Sequence, residues 1–384
     1  MRIHISPARS VAFRVLLLVE RGGYASDLLR SRLQGLDSRD AGLASEIAFG
    51  VLRRQAQLDF LIEYFSGRPA GRLDPEVRIP LRMGMYQLRY LDRVPSHAGV
   101  AESVELVKQA RKRSAAGFVN AVLRKVHRDP VPWPDSATEF SLPAWLLERW
   151  GRQYGSETAE KIARAFLAPP ETYLRLASPE LPDGLNVEPA EVPGSFRLVA
   201  GDPDGFRIQD VGAQSIVPLL ELEPGQSFLD VCAAPGNKTA QALERGVRAV
   251  ACDINPNRLQ ALKALGCDLV VCDGARPLPF RRRFDRILLD APCSGTGTLG
   301  RNPEIRWRLN PGDLTRLRER QAKLLSRALE ALAPGGRLVY STCSLEQEEN
   351  EQVVEMVLGR PPRIVHRRLP GVDAGDGFFA AVIP

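Results

Sequence analysis

Residues 227–239 read SFLDVCAAPGNKT, and this stretch decides the fold. Ser227–Val231 is a short apolar run of strand length, and the residues from Lys238 to Arg245 have helical spacing. Between them lies a loop of small residues, Cys232, Ala233, Ala234, Pro235, Gly236 and Asn237. A strand that turns through small residues into a helix start lets a ligand approach backbone amides closely.

The same alternation continues outward. Ala249–Asp253, Leu269–Cys272, Arg286–Leu289 and Arg337–Ser341 are further short apolar runs, with a helical stretch at Pro256–Leu265. Repeated βα units from about residue 205 predict a parallel sheet with helices on both faces. Ligands of such sheets bind beyond the carboxyl ends of the strands. Asp253 ends the second strand, about 20 residues after the loop, where an acid can accept from both hydroxyls of a ribose. Asp273 follows the third strand, where an acid can hold an adenine amino group. Each acid taken singly reads as a helix cap or a turn residue. Their order on successive strand ends points to a nucleoside cofactor. The loop has neither GxGxxG nor a Walker lysine pattern, so S-adenosylmethionine fits better than NAD or ATP.

The fourth strand runs into DAPCSGTG (290–297) and the fifth into STCS (341–344). Cys293 and Cys343 therefore stand just past two strand ends, on the ligand-binding rim. A lone cysteine in a chain like this is ordinarily a small buried hydrophobe. Two of them on the rim beside Asp290 suit a specific chemistry. Cytosine C5 is a poor nucleophile, but a thiolate added at C6 turns the ring into an enamine-like species whose C5 can attack a sulfonium methyl. Asp290 can face N3 and the exocyclic amine. One cysteine can be the nucleophile while the other assists release.

Residues 1–130 read as helical, with apolar residues three and four apart in Ala8–Glu20, Ala41–Phe65, Glu76–Leu91 and Val100–Arg113. This part holds 22 Lys/Arg against 13 Asp/Glu, whereas the remainder holds 30 against 33. The net charge of +6 is thus concentrated in the N-terminal third, which suits an Arg-rich face for phosphates and equally a solvated helical surface. The Pro-rich segment 129–134 marks a linker. Two helices are expected from about Leu142 to Ala168, then short strands at Thr172–Ala177 and Ser195–Val199 in a small α+β insert.

None of the six cysteines forms a CxxC pair or a zinc-spaced array, so reduced thiols and no metal are expected. The apolar run Val15–Val19 is bracketed by Arg14 and Glu20–Arg21, and no small-residue cleavage site follows. It reads as an amphipathic helix and not as a signal peptide or a membrane span, which gives a cytoplasmic location.

VCAAPGNKT (231–239), DAPCSGTG, NPEIRW (302–307), LVYSTCS (338–344) with EEN (348–350), and GDGFF (375–379) together resemble the Sun/RsmB branch of the NOL1/NOP2/Sun RNA m5C methyltransferases. PSHAGVAESVELVKQA (95–110) and GFVNAVLRKV (117–126) look like the NusB-like helical domain of the bacterial rRNA enzyme. The resemblance covers nearly the whole chain and is weakest at about 170–200. It implies three domains: an all-α NusB-like RNA-binding domain over 1–134, a small α+β subdomain over 135–204, and a Rossmann-like α/β methyltransferase domain over 205–384. It makes Cys343 the nucleophile and gives Cys293 a part in product release. Asp290 contacts the base and the reactive end of the cofactor. The loop Cys232–Lys238, with Asp253 and Asp273, holds S-adenosylmethionine. Lys238, one of only seven lysines among 52 basic residues, lies near the reaction centre. Gln209–Asp210 matches the family's entry into the catalytic domain, and Glu304–Arg306–Trp307 resembles the stretch lining the RNA side.

The family loop usually reads PGGK, and Asn237 replaces its second glycine. Asn tolerates left-handed backbone geometry better than most residues, so cofactor affinity is the quantity affected. The sequence also ends in GDGFFAAVIP without the customary basic tail, which weakens a final RNA contact. Small-subunit 16S rRNA is the expected substrate, acted on by a monomer. A tRNA substrate and a non-catalytic RNA-binding factor are the alternatives. A DNA cytosine methyltransferase, which attacks with the PC-motif cysteine, fits less well because the TCS cysteine is also present.

Overall fold

A computed structural model describes residues 4–176 and 184–384. The chain forms two compact units. One comprises residues 1–169 and 299–308, the other 170–298 and 309–384. The three segments read from the sequence do not coincide with these units. The helices after residue 135 group with the N-terminal ones, and the small sheet groups with the catalytic residues.

The first unit is helical: Pro7–Glu20, Ala25–Arg32, Ser38–Arg53, Gln55–Ser66, Pro75–Tyr90, Ser96–Gln109 and Ala116–Arg124, then Ser136–Glu139, Ala144–Tyr154 and Ser156–Ala165. Its core is aliphatic, with Ile47, Leu58, Leu61, Ile62 and Leu81 fully buried. The single helix expected over Ala41–Phe65 is two. Arg54 leaves helical geometry at φ −109°, ψ 20°. Beyond it the Ala56 N–H donates to Ser141 Oγ (3.0 Å) and Gln57 Nε2 to the Glu139 carbonyl (2.5 Å). Those are tertiary contacts, which periodicity does not carry.

Residues 299–308 leave the catalytic unit and pack into this helical one. Arg306 is fully buried. Its guanidinium donates to the carbonyls of Leu299 (2.9 Å), Ser141 (3.0 Å), Phe166 (3.3 Å) and Arg53 (3.4 Å). Trp307 Nε1 donates to the Leu52 carbonyl, and Glu304 accepts from the Ala25 N–H. The expectation that this stretch lines the RNA side is therefore corrected. Burial turns Glu304 and Arg306 inward, where they tie helix ends together.

In the second unit, β1 (Tyr173–Arg175), β2 (Asn186–Pro189), β3 (Ser195–Ala200) and β4 (Arg207–Ile208) form a small antiparallel sheet in the order β2–β3–β1–β4. The strand expected at Thr172–Ala177 is β1, and Ala177 lies outside the described residues. The large sheet contains β5 (Ser227–Asp230), β6 (Arg248–Asp253), β7 (Asp268–Val271), β8 (Phe284–Asp290), β9 (Leu332–Thr342), β10 (Ile364–Arg368) and β11 (Phe378–Ile383), in the order β10–β11–β9–β8–β5–β6–β7. The five strands β5 to β9 are parallel, as expected. The sheet as a whole is mixed, because β11 runs antiparallel to β9 and to β10. All six residues of β11 are buried, so FFAAVI is an interior strand. Winding turns one way from β5 through β6 to β7 and the other way from β5 through β8 to β9. The carboxyl ends of β5 and β8 flank this switch point, where open α/β sheets bind ligands.

Removing the Arg306 guanidinium orphans buried carbonyls. Arg306→Ala is expected to destabilise the helical unit by about 3 kcal/mol, and Arg306→Lys to recover only part of that. All four tryptophans (Trp133, Trp145, Trp150 and Trp307) lie in this unit. Urea unfolding followed by tryptophan fluorescence therefore reads it selectively. A loss below about 1 kcal/mol would contradict the role.

Candidate active site

The loop after β5 is shaped by hydrogen bonds to its neighbours. The Ala233 N–H donates to the Cys252 carbonyl (2.7 Å) and the Ala234 N–H to Asp253 Oδ2 (3.2 Å). Gly236 adopts φ 106°, and a Cβ there would stand 2.6 Å from Leu262 Cγ, so only glycine fits. Asn237 does not take up the left-handed geometry expected of it. It is the first residue of the helix Asn237–Leu243, and its Nδ2 donates to the Ile208 carbonyl at 3.3 Å.

Asp253 is buried, and its Oδ1 accepts from the Asn255 N–H (2.8 Å). Each carboxylate oxygen keeps a lone pair for the hydroxyl donors of a ribose. Asp230, at the end of β5, is fully buried with Oδ2 accepting from Thr239 (2.7 Å) and Oδ1 unpartnered. These acceptors, behind a loop that a Cβ would block, suit the donors of a nucleoside-bearing cofactor. Asp273 is set apart from them. It accepts from the Ala275 N–H (3.1 Å) and faces Arg320 (3.7 Å) and Arg276 (3.8 Å).

The β8 and β9 ends carry the reactive groups. Asp290 pairs in register with Ser341, and Ser341 Oγ donates to Asp290 Oδ1 (2.8 Å). Lys238 Nζ donates to Asp290 Oδ2 (2.5 Å) and lies 5.0 Å from the centre of the Phe378 ring. Burial works against the Lys238 charge, but Asp290 more than offsets it and holds the ammonium pKa above its ordinary range. Beyond the pair, Cys293 Sγ and Cys343 Sγ are 3.4 Å apart. The hydrogen bond to Cys343, burial, and the neighbouring Cys343 and Glu349 push the Cys293 thiol well above its usual pKa. The structure thus gathers Lys238, Asp290, Cys293 and Cys343 on adjacent strand ends, with Asp253 against the β5 loop. All six cysteines are free thiols. Among the described residues no group of three or more His, Cys, Asp or Glu is placed to hold a metal ion.

A family model described as 16S rRNA methyltransferase RsmB/F matches residues 217–374, and a NusB family model matches residues 6–128. A Klebsiella pneumoniae protein named ribosomal RNA small subunit methyltransferase B is 34% identical, over 97% of this chain and 97% of its own. A Salmonella typhi protein of the same name is 33% identical with the same coverage. The chain belongs to the RsmB/F family of 16S rRNA methyltransferases. In fold it is similar to the crystal structure of PH0851, with a TM-score of 0.81 at 22% identity over 100% of this chain and 99% of that one. It is also similar to a methyltransferase homolog protein from Pyrococcus horikoshii, with a TM-score of 0.55 at 27% identity over 65% of this chain and 99% of that one.

Sequence reasoning missed Ser341, Asp230 and Phe378. Ser341 and Asp230 lie inside motifs already singled out. Position at or one residue before a strand's end was the available signal, because side chains there border the ligand crevice. Phe378 had no local signal, since its place over Lys238 follows from β11 pairing with β9.

Burial pushes the Asp230 carboxyl up to about 7. A folded-state pKa above the ordinary 3.8 means that its stabilising contribution is complete below about pH 4 and disappears as pH rises through 7. Between pH 5 and 8 the catalytic unit is expected to lose on the order of 2 kcal/mol of stability. Asp230→Asn should flatten this slope, with hydrogen exchange of the β5, β6 and β8 amides as the measurement. An equal slope in both proteins would show that Asp230 titrates normally.

Proposed function

We propose that this protein methylates C5 of a cytosine in 16S rRNA through a covalent adduct with Cys343. The observation that carries the reading is the pair of sulfurs 3.4 Å apart beside Asp290 on the rim of the sheet. The cradle of Cys232–Lys238, Asp253 and Asp230 holds S-adenosylmethionine, and Asp273 stands at the next strand end for its adenine. Bound there, S-adenosylmethionine supplies the electrophilic methyl group.

The Cys343 thiolate adds to C6 of the base, and the C5–C6 π pair becomes available at C5 as the nucleophile. Cys293 remains a thiol under its raised pKa, and its sulfur lies 3.4 Å from that of Cys343, within hydrogen-bond reach of it. Lys238 and Ser341 each hold one oxygen of Asp290, so its carboxyl is oriented before the base arrives. Asp290 then faces the N3 and amino edge of the cytosine. After methyl transfer a base takes the C5 proton, the freed electron pair reforms the C5–C6 double bond, and the Cys343 thiolate leaves C6 as the C6–S bond breaks. Cys293, adjacent to that bond, assists this release. The target cytosine must be unpaired or flipped, since its C5–C6 edge is shielded within a stack.

The NusB match over residues 6–128 and the excess of basic residues in 1–130 support RNA binding by the helical unit. No helix among the described residues is long and apolar enough to cross a membrane. The reading places the enzyme in the cytoplasm, acting as a monomer without a metal ion.

Cys343→Ala is expected to abolish methyl transfer, and Cys293→Ala to accumulate a covalent protein–RNA adduct on denaturing gels. If Cys293→Ala abolishes adducts while Cys343→Ala keeps them, the two roles are reversed. Bisulfite mapping of rRNA and tRNA from a strain lacking the gene should show one 16S cytosine unmethylated. Loss confined to tRNA would overturn the rRNA assignment.

A further inference from the structure

We propose that Glu349, assisted by Asn350 and Gln321, is a positioning residue that holds the Cys293 and Cys343 loops together and thereby sets the distance between the two sulfurs. The proposal rests on the cysteine roles above. Glu349 is fully buried at the end of the 3-10 turn Gln347–Glu349. Its Oε1 accepts from the Ser294 N–H (2.8 Å) and from Gln321 Nε2 (2.9 Å). Its Oε2 accepts from Ser344 Oγ (2.5 Å) and from Ser294 Oγ. Ser294 follows Cys293 and Ser344 follows Cys343, so one carboxyl holds the residue after each sulfur.

The residues on the other side of each cysteine are held as well. Gln321, on the helix Pro311–Glu330, also donates to the carbonyl of Pro292, just before Cys293 (3.0 Å). Asn350 Oδ1 accepts from Thr342 Oγ1, just before Cys343 (2.5 Å), and its Nδ2 donates to the Ser344 carbonyl (2.9 Å). The Tyr340 hydroxyl donates to the Glu349 carbonyl (2.5 Å) and ties the clamp itself to β9. Gly297 closes the gap from the other side, its N–H donating to the Cys343 carbonyl (2.9 Å).

This arrangement exceeds what satisfying a buried carboxyl requires. The β8/β9 ladder ends at Asp290 and Ser341, whereas both sulfurs lie beyond it. Past that point the loops meet at the Gly297 N–H to the Cys343 carbonyl and the Leu345 N–H to Thr296 Oγ1 (2.9 Å), both beyond the sulfurs or away from Cys293, and the shared acceptor adds a hold on the residue next to each sulfur. The Ser294 N–H and the Gln321 amide can only donate to Glu349, whereas the Ser294 and Ser344 hydroxyls donate as placed but could also accept. A glutamine would keep the first two bonds and force both hydroxyls to turn round and accept its NH2.

Glu349→Gln keeps the shape, forces both hydroxyls to reverse, and so loosens the hold on the residue after each sulfur. Its kcat is expected to fall about 100-fold while S-adenosylmethionine affinity and RNA KM stay within about threefold. Glu349→Asp should recover part of kcat, because it keeps an acceptor-only group. Ser294→Ala and Ser344→Ala, which remove little volume, should each lower kcat, and their losses should not add to that of Glu349→Gln. Sulfur spacing is read directly by phenylarsine oxide, which bridges two neighbouring thiols, with the bridged peptides mapped by mass spectrometry. Bridging of Cys293 to Cys343 should be efficient in the wild type and about tenfold slower in Glu349→Gln. Unchanged bridging, or losses of cofactor affinity and unfolding midpoint in parallel with kcat, would overturn the proposal. Bridging is independent of which sulfur attacks, so retained transfer by Cys343→Ala would sink the cysteine roles and leave the spacing measurement intact.

Discussion

The parallel pairing of β8 with β9 is the constraint on which the site depends. Its last rung sets Asp290 opposite Ser341, and the Ser341 hydroxyl closes onto the carboxyl. Cys293 lies three residues past one end of that rung and Cys343 two residues past the other. A slip of one residue would send alternate side chains to the opposite face of the sheet and separate the pair. Backbone register therefore sets Asp290 against Ser341 and fixes where the two cysteine loops begin.

Electrostatics then assigns each group a state. Lys238 keeps its charge in a buried setting because Asp290 compensates for the lost water. Cys293 stays protonated because its hydrogen bond with Cys343, its burial and the neighbouring Cys343 and Glu349 disfavour its thiolate. Proton donors and acceptors are thus in place ahead of substrate, and little reorganisation remains for the reaction step.

The helical unit shows the same economy with a different device. The segment that follows Thr298 brings Arg306 to the carbonyls of Arg53, Ser141 and Phe166, at or just past three helix ends, and to that of Leu299 in its own segment. A guanidinium has five donors and no acceptor, which suits a site made only of carbonyl oxygens. That one motif residue does structural work inside a segment whose resemblance had suggested RNA contact shows how a motif can mark a packing site.

The sequence alone indicated the βα alternation, the parallel core of the sheet, the small-residue loop after β5 and the strand-end groups Asp290, Cys293 and Cys343, while Lys238 came from the family resemblance. These are legible because strand period, small-residue turns and strand-end position are local properties. Tertiary structure decided the rest: the helix break at Arg54, the interior place of FFAAVI, the inward turn of Arg306, and the convergence of Ser294, Ser344 and Gln321 on Glu349. Apart from Ser344 and Glu349, five residues apart, each of these joins distant residues or depends on what packs against them. No local pattern records such contacts, since the free energy that selects them comes from burial and from pairing that only the assembled chain provides.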